Sequence, residues 1–114
     1  MTFKEYQALA LTTDLSGSSD HPITSTHFFN KLLGLVGETG EIAEKFKKIY
    51  RDRGGEFTEA DRLDMQKELG DVLWYVSTVA AYLKIPLDDI AEKNIAKLQS
   101  RKARGTQGGS GDDR

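Results

Sequence analysis

Hydrophobic positions recur at helical spacing in four stretches, and no stretch alternates as a strand would. From Thr2 to about Leu11, Phe3, Tyr6 and Leu9 recur every third residue and predict a short amphipathic helix. Asp14 to Thr24 (DLSGSSDHPIT) is rich in turn formers and reads as a loop. Ser25 or Thr26 can cap a second helix running to about Arg51, with Leu32, Leu35, Val36, Ile42, Phe46 and Ile49 on its apolar side. Asp52 to Phe57 contains Gly54-Gly55 and must turn. Thr58-Glu59-Ala60-Asp61 resembles a capping box, with Asp in the usual Glu or Gln place, and opens a third helix. That helix carries Met65, Leu69, Val72, Leu73, Val76, Val79, Ala80 and Leu83 and stops before Pro86. Asp88 begins a fourth, through Ile90, Ile95 and Leu98, ending near Arg104.

The elements predict an all-α antiparallel helical bundle in one domain, residues 1–104. The third helix is apolar around much of its circumference from Val72 to Leu83. One protomer of 114 residues has too few helices to cover that surface, so a homodimer or homotetramer is expected. Gly105 to Arg114 (GTQGGSGDDR) reads either as a flexible tail or as a lid ordered by a ligand, its backbone amides and Arg114 closing over phosphates.

Composition removes several classes of function. With no cysteine, disulfides, zinc-thiolate centres and cysteine nucleophiles are excluded. Sixteen basic residues against eighteen acidic ones give a formal charge of −2, which offers no global attraction for nucleic acid or membrane surfaces, and neither partner is expected. No run approaches the roughly 18 apolar residues of a membrane helix. The first 25 residues lack a basic start followed by an apolar stretch, so a cytoplasmic protein is expected.

Charge placement within the two long helices is more informative than the total. The second helix holds Glu38-Thr39-Gly40-Glu41-Ile42 and the third holds Glu68-Leu69-Gly70-Asp71-Val72. Each has acids at i and i+3, which share one face, and an aliphatic residue at i+4 of the first acid. Glu38 and Glu68 lie only about 40° round the helix from that aliphatic residue, bordering the buried stripe. Antiparallel packing would bring four carboxylates to one pocket.

Solvated ion pairs are the ordinary explanation of helical acids. Glu41 with Lys45, and Glu44 with Lys48, fit it at i,i+4. Glu38 and Glu68 do not, because their neighbours at these spacings are aliphatic, glycine or acidic. Like charges so placed destabilise a helix, and a divalent cation would reverse the sign. Oxygen ligands without His or Cys suit Mg²⁺, with Mn²⁺ as a substitute. Gly34, Gly37, Gly40 and Gly70 lie inside helices at about 1 kcal/mol each, for close helix packing, for room at a ligand, or for both.

The segment Asn30-Lys31-Leu32-Leu33-Gly34-Leu35-Val36-Gly37-Glu38-Thr39-Gly40-Glu41-Ile42, followed by Glu68-Leu69-Gly70-Asp71-Val72-Leu73, resembles the MazG-like all-α nucleoside triphosphate pyrophosphohydrolases, and within them the dCTP pyrophosphatase branch. The resemblance covers about residues 25–102. It implies Mg²⁺ bound by Glu38, Glu41, Glu68 and Asp71, and hydrolysis of a nucleoside triphosphate to the monophosphate and pyrophosphate. Many members carry a second Glu where this chain has Gly37. Glu41 and Glu44 are therefore the candidates for the general base, unless the metal itself activates water.

The same resemblance assigns Asn94 and Lys97 (in NIAKL) to the phosphates. Arg101, one turn on, extends a basic ridge with Lys93 and Lys97, which also fits a solvated helix end favoured by the dipole. Asn30 matches the nucleotide-pocket Asn of the dCTP branch. Trp74, Tyr75, His27 and Phe28 can stack on a base, although core packing is the favoured explanation of Trp74 and Phe28. His21 and His27 lack ligand spacing. Related all-α enzymes acting on dUTP or phosphoribosyl-ATP, or a noncatalytic helical interaction module, are the competing readings.

Overall fold

The computed structural model describes residues 1–114 as four α-helices without a strand: α1 (Phe3–Leu11), α2 (Thr26–Arg53), α3 (Glu59–Tyr82) and α4 (Leu87–Arg104). Local chemistry fixes their ends. Thr2 and Glu5 form a capping box on α1, and Thr58 and Asp61 form one on α3. Ser25 accepts from the Phe28 amide at the start of α2. Gly54 and Gly105, both left-handed, close α2 and α4. No helix is long and apolar enough to cross a membrane.

The α2–α3 pair is an antiparallel hairpin joined by the short turn at Gly54-Gly55. Along it Arg53 meets Asp61 at 2.7 Å, Lys45 reaches Asp64 and Glu68, and Gly34 faces Tyr75. A methyl group on Gly34 would lie 2.2 Å from the Tyr75 ring, so this glycine permits the close approach of the two helices. Nothing lies within 4 Å of where a side chain would start at Gly37, Gly40 or Gly70. Close packing therefore explains only the first of the four.

Helix α1 lies across α3 and α4 and seals their corner with one side chain. The Gln7 amide donates to the Ser77 and Ile85 carbonyls at 3.3 and 3.1 Å, while its oxygen accepts from the Leu87 amide at 3.1 Å. The loop before α2 is held by the buried Asp14, which accepts from Lys31 (2.7 Å), the Ser16 amide (2.9 Å) and Tyr82 (3.1 Å). Lys84, at φ +59°, ends α3 in the left-handed region and pairs with Asp20 of the same loop.

Helix α4 touches α1 and α3 but not α2. The radius of gyration is 17.1 Å, against about 13 Å for a compact 100-residue domain. The small core comprises Ala10, Phe28, Ile49, Met65, Ala80, Tyr82 and Leu87. Leu32, Val36, Leu69 and Leu73, expected on buried stripes, are exposed, Val36 at 72%. The physical reason is geometric: α2 and α3 cover one face of each other, α1 and α4 cover only part of α3, and no other helix of the same protomer touches α2.

Candidate active site

The i,i+3 spacing within α2 and α3, and their antiparallel register, bring Glu38, Glu41 and Glu68 together, with one carboxylate oxygen of each lying within 4.8 Å of the others. Asp71 stands outside that group and is exposed, yet its charge is felt at Glu38 and at Tyr6 of α1. The neighbouring Glu41 carboxyl holds the Glu38 carboxyl above the usual range, with burial and the charges of Glu41, Asp71 and Glu68 adding to the shift. Burial raises the Tyr6 hydroxyl, and Asp71 pushes it further. The acidic pocket thus has a wall from α1 that the sequence pattern did not mark.

Glu68 differs from expectation. Lys45 does not pair with Glu41 on its own helix but crosses to α3, where its ammonium bonds Glu68 and, at 2.9 Å, Asp64. An i,i+4 neighbour lost to an acid on the facing helix because Glu68 is only 12% exposed and needs a partner more. Its other oxygen, Oε2, remains buried without any hydrogen-bond partner. Glu44 pairs with Lys47 at 2.9 Å and not with Lys48, and Lys47 holds its carboxyl below the usual range.

An orphaned carboxylate oxygen, neighbouring acids that raise the cost of charge at Glu38, and an all-oxygen donor set together fit a hard divalent cation. The open space at Gly37, Gly40 and Gly70 lies on the segments that carry these acids. The larger hollows of the surface lie elsewhere. One of about 510 Å³ sits between α1 and the α3–α4 corner, lined by Lys4, Gln7, Lys84 and Asp88 among others.

Helix α4, which carries the basic ridge, makes no contact with α2 within one protomer and touches α3 only lightly. Residues 105–114 fold back on it. Lys97 pairs with Asp112 at 3.3 Å, and Arg101, 5% exposed, donates to the carbonyls of Gly111 and Asp112. Arg114 in turn donates to the carbonyls of Gln107, Gly108 and Gly111. Asn94 is exposed, as is Asn30 on α2. Trp74 donates to Thr13 at 2.8 Å, and the Lys31 ammonium lies 5.1 Å from its ring centre. Phe28 is core, and His27 stacks on His21 at 3.8 Å.

Comparison with known proteins draws on the same segment. The family model of the MazG nucleotide pyrophosphohydrolase domain matches residues 29–105, more than half of the chain. Gene 37 protein of Mycobacterium phage L5 is 55% identical over 82 residues, which are 72% of this chain and 72% of that protein. The dCTP pyrophosphatase 1 of Bos taurus is 34% identical over 77 residues, 66% of this chain and 44% of the relative. The Homo sapiens protein of that name is 42% identical over 60 residues, 51% of this chain and 35% of the relative. The chain thus spans less than half the length of these dCTP pyrophosphatases. No solved structure gives a significant match. All three acids of the converged group, and Asp71 beside them, fall inside the matched segment, and the chain belongs to the MazG family of nucleotide pyrophosphohydrolases.

Proposed function

We propose that this MazG-family enzyme hydrolyses a (deoxy)nucleoside triphosphate to the monophosphate and pyrophosphate, with Mg²⁺ held by Glu38, Glu41, Glu68 and Asp71. The observation that carries the reading is the convergence of Glu38, Glu41 and Glu68, with one Glu68 oxygen left unpartnered, inside the family segment. Mg²⁺ bound there would neutralise phosphate oxygens and favour deprotonation of water. Asp71, exposed beside the group, swings in as the fourth ligand.

Glu41 is exposed within the converged group, so it is placed to take the proton of a water attacking the α-phosphorus. Glu44 is the weaker base, because Lys47 holds it and stabilises its charged form. Lys97 and Asn94 bind the phosphates, and Arg101 joins them only when residues 105–114 lift away. Asn30 and Trp74 contact the base. The proposed role is removal of unwanted or noncanonical nucleotides from the cytoplasmic pool.

We further propose that a second copy of the chain completes this site. Phe29, Leu33 and Val36 form one stripe on α2, exposed at 57%, 54% and 72%, and Leu69 and Leu73 continue it on α3. Covering that stripe with another protomer offers the acids a Lys97 and Asn94 that their own α4 does not bring to them. Light scattering should return a dimer or tetramer. A monomer that turns over at full rate would exclude shared sites.

Pyrophosphate release from a panel of canonical and modified (d)NTPs tests the reaction. Deoxycytidine triphosphates head the panel because relatives are named for dCTP. Release with Mg²⁺ or Mn²⁺, its loss in EDTA, and the monophosphate as co-product are expected. Silence across the panel from folded protein would overturn the assignment, and dUTP and phosphoribosyl-ATP would be the next substrates examined.

A further inference from the structure

Lys45 is the cation that forms a salt bridge with an acid of the converged group, Glu68. It sits on α2 one turn beyond Glu41 and reaches across to α3. There it satisfies one oxygen of Glu68, whose side chain is only 12% exposed, and keeps a second bond of 2.9 Å to Asp64. Asp64 is itself half-exposed and lies one turn before Glu68, outside the converged trio. The ammonium therefore has two anchors, one belonging to the carboxylate group and one beside it.

We propose that Lys45 is a built-in counter-ion that competes with divalent metal for Glu68, moving onto Asp64 when metal binds and thereby setting the metal affinity of the site. This inference rests on the reading of the three glutamates as metal ligands. Two physical routes lead to the same sign. A cation using both Glu68 oxygens must displace the ammonium from Oε1. A cation using only the free Oε2 still meets a positive charge hydrogen-bonded to the same carboxylate. Lys45 weakens metal binding on either route. In return it offsets the repulsion of Glu38, Glu41 and Glu68 in the metal-free chain, where a part-buried carboxylate without a partner destabilises the fold. Asp64 keeps the displaced ammonium from drifting into solvent, so the exchange is a short side-chain movement within one helix turn.

The test is calorimetric titration of the full chain with MnCl₂, without nucleotide, for the wild type, Lys45→Met, Lys45→Gln and Lys45→Arg, with Glu38→Gln as reference. The two neutral variants should bind Mn²⁺ about tenfold more tightly, and Lys45→Arg, which keeps the charge and both anchors, should stay near wild type. In thermal melts the neutral variants should unfold earlier than wild type in EDTA and gain more from Mn²⁺. Using both Met and Gln guards against one of them failing to fold. If wild type binds Mn²⁺, Glu38→Gln weakens it, and the neutral variants bind equally or less tightly, Lys45 is not a competitor and the proposal falls alone. If neither wild type nor any variant binds Mn²⁺, the metal reading itself fails and takes the proposal with it.

Discussion

Glu38→Gln and Asp71→Asn should each reduce pyrophosphate release by about a thousandfold or more, while the protein remains folded. Metal charge stabilisation in phosphoryl chemistry is worth several kcal/mol, and each 1.36 kcal/mol is a factor of ten in rate. The Glu38 variant discriminates sharply, because the group that most raises the Glu38 carboxyl is another acid, Glu41. Gln keeps the shape and removes a like charge, so thermal stability in EDTA should hold or rise. An exposed structural acid would give the opposite pattern, with activity intact and stability slightly lower. Asp71 lies outside the converged trio. Its loss of activity would therefore show that this exposed carboxylate moves inward to act. Full turnover in either variant, measured with saturating Mg²⁺, would remove the proposed ligand set.

Asp14→Asn should carry the largest stability cost in the chain. The Asp14 side chain is 1% exposed and pairs with Lys31 at 2.7 Å, itself 13% exposed. Breaking a buried pair by removing one charge costs about 3–5 kcal/mol, because the other charge remains without compensation. The same carboxylate accepts from Tyr82 and from the Ser16 amide, so the substitution also loosens the 12–25 loop from α3. A drop in Tm of more than about 10 °C follows, at roughly 4–8 °C per kcal/mol for a domain near this size.

Burial alone would raise the Asp14 carboxyl, but hydrogen bonds from Lys31 and Ser16 outweigh it and hold the group below its ordinary value. A depressed acid stabilises the fold above its unfolded value of about 3.9, and that stabilisation is lost as pH falls through the folded value. Wild type should therefore lose stability on acidification below about pH 4, and Asp14→Asn should lack that part of the loss. Melts from pH 7 to pH 3 on both proteins check both statements. Equal Tm at pH 7 would show that the loop contributes nothing to the fold.

Helix ends were readable from sequence because their causes are local. Thr58 and Asp61 cap the same turn they occupy, and Gly54 ends α2 from one residue beyond it. The two acidic pairs were readable for the same reason, since i and i+3 share a face wherever a helix forms. Lys45 was not, because its choice between Glu41 and Glu68 depends on which acid the facing helix buries. Asp14 sits among serines and glycines and reads as a solvated loop residue until Lys31 and Tyr82 close on it. Arg101 extends a basic ridge by its spacing, and only the return of residues 105–114 turns it into the buried centre of that fold. The exposed Leu32, Val36, Leu69 and Leu73 mark a boundary of another kind. Their pattern states that they want burial, and a single chain cannot supply the covering surface.

The α2–α3 hairpin holds Glu38, Glu41, Glu68 and Asp71 within one continuous stretch of chain, between Thr26 and Tyr82. The carboxylates proposed to hold the metal are thus carried by one local unit of the chain. Sequence outside the hairpin can vary in length without disturbing the placement of the carboxylates, and the matched segment makes up only 44% and 35% of the two dCTP pyrophosphatase relatives. Their spacing then survives change elsewhere in the chain, because two helices and the turn between them set it.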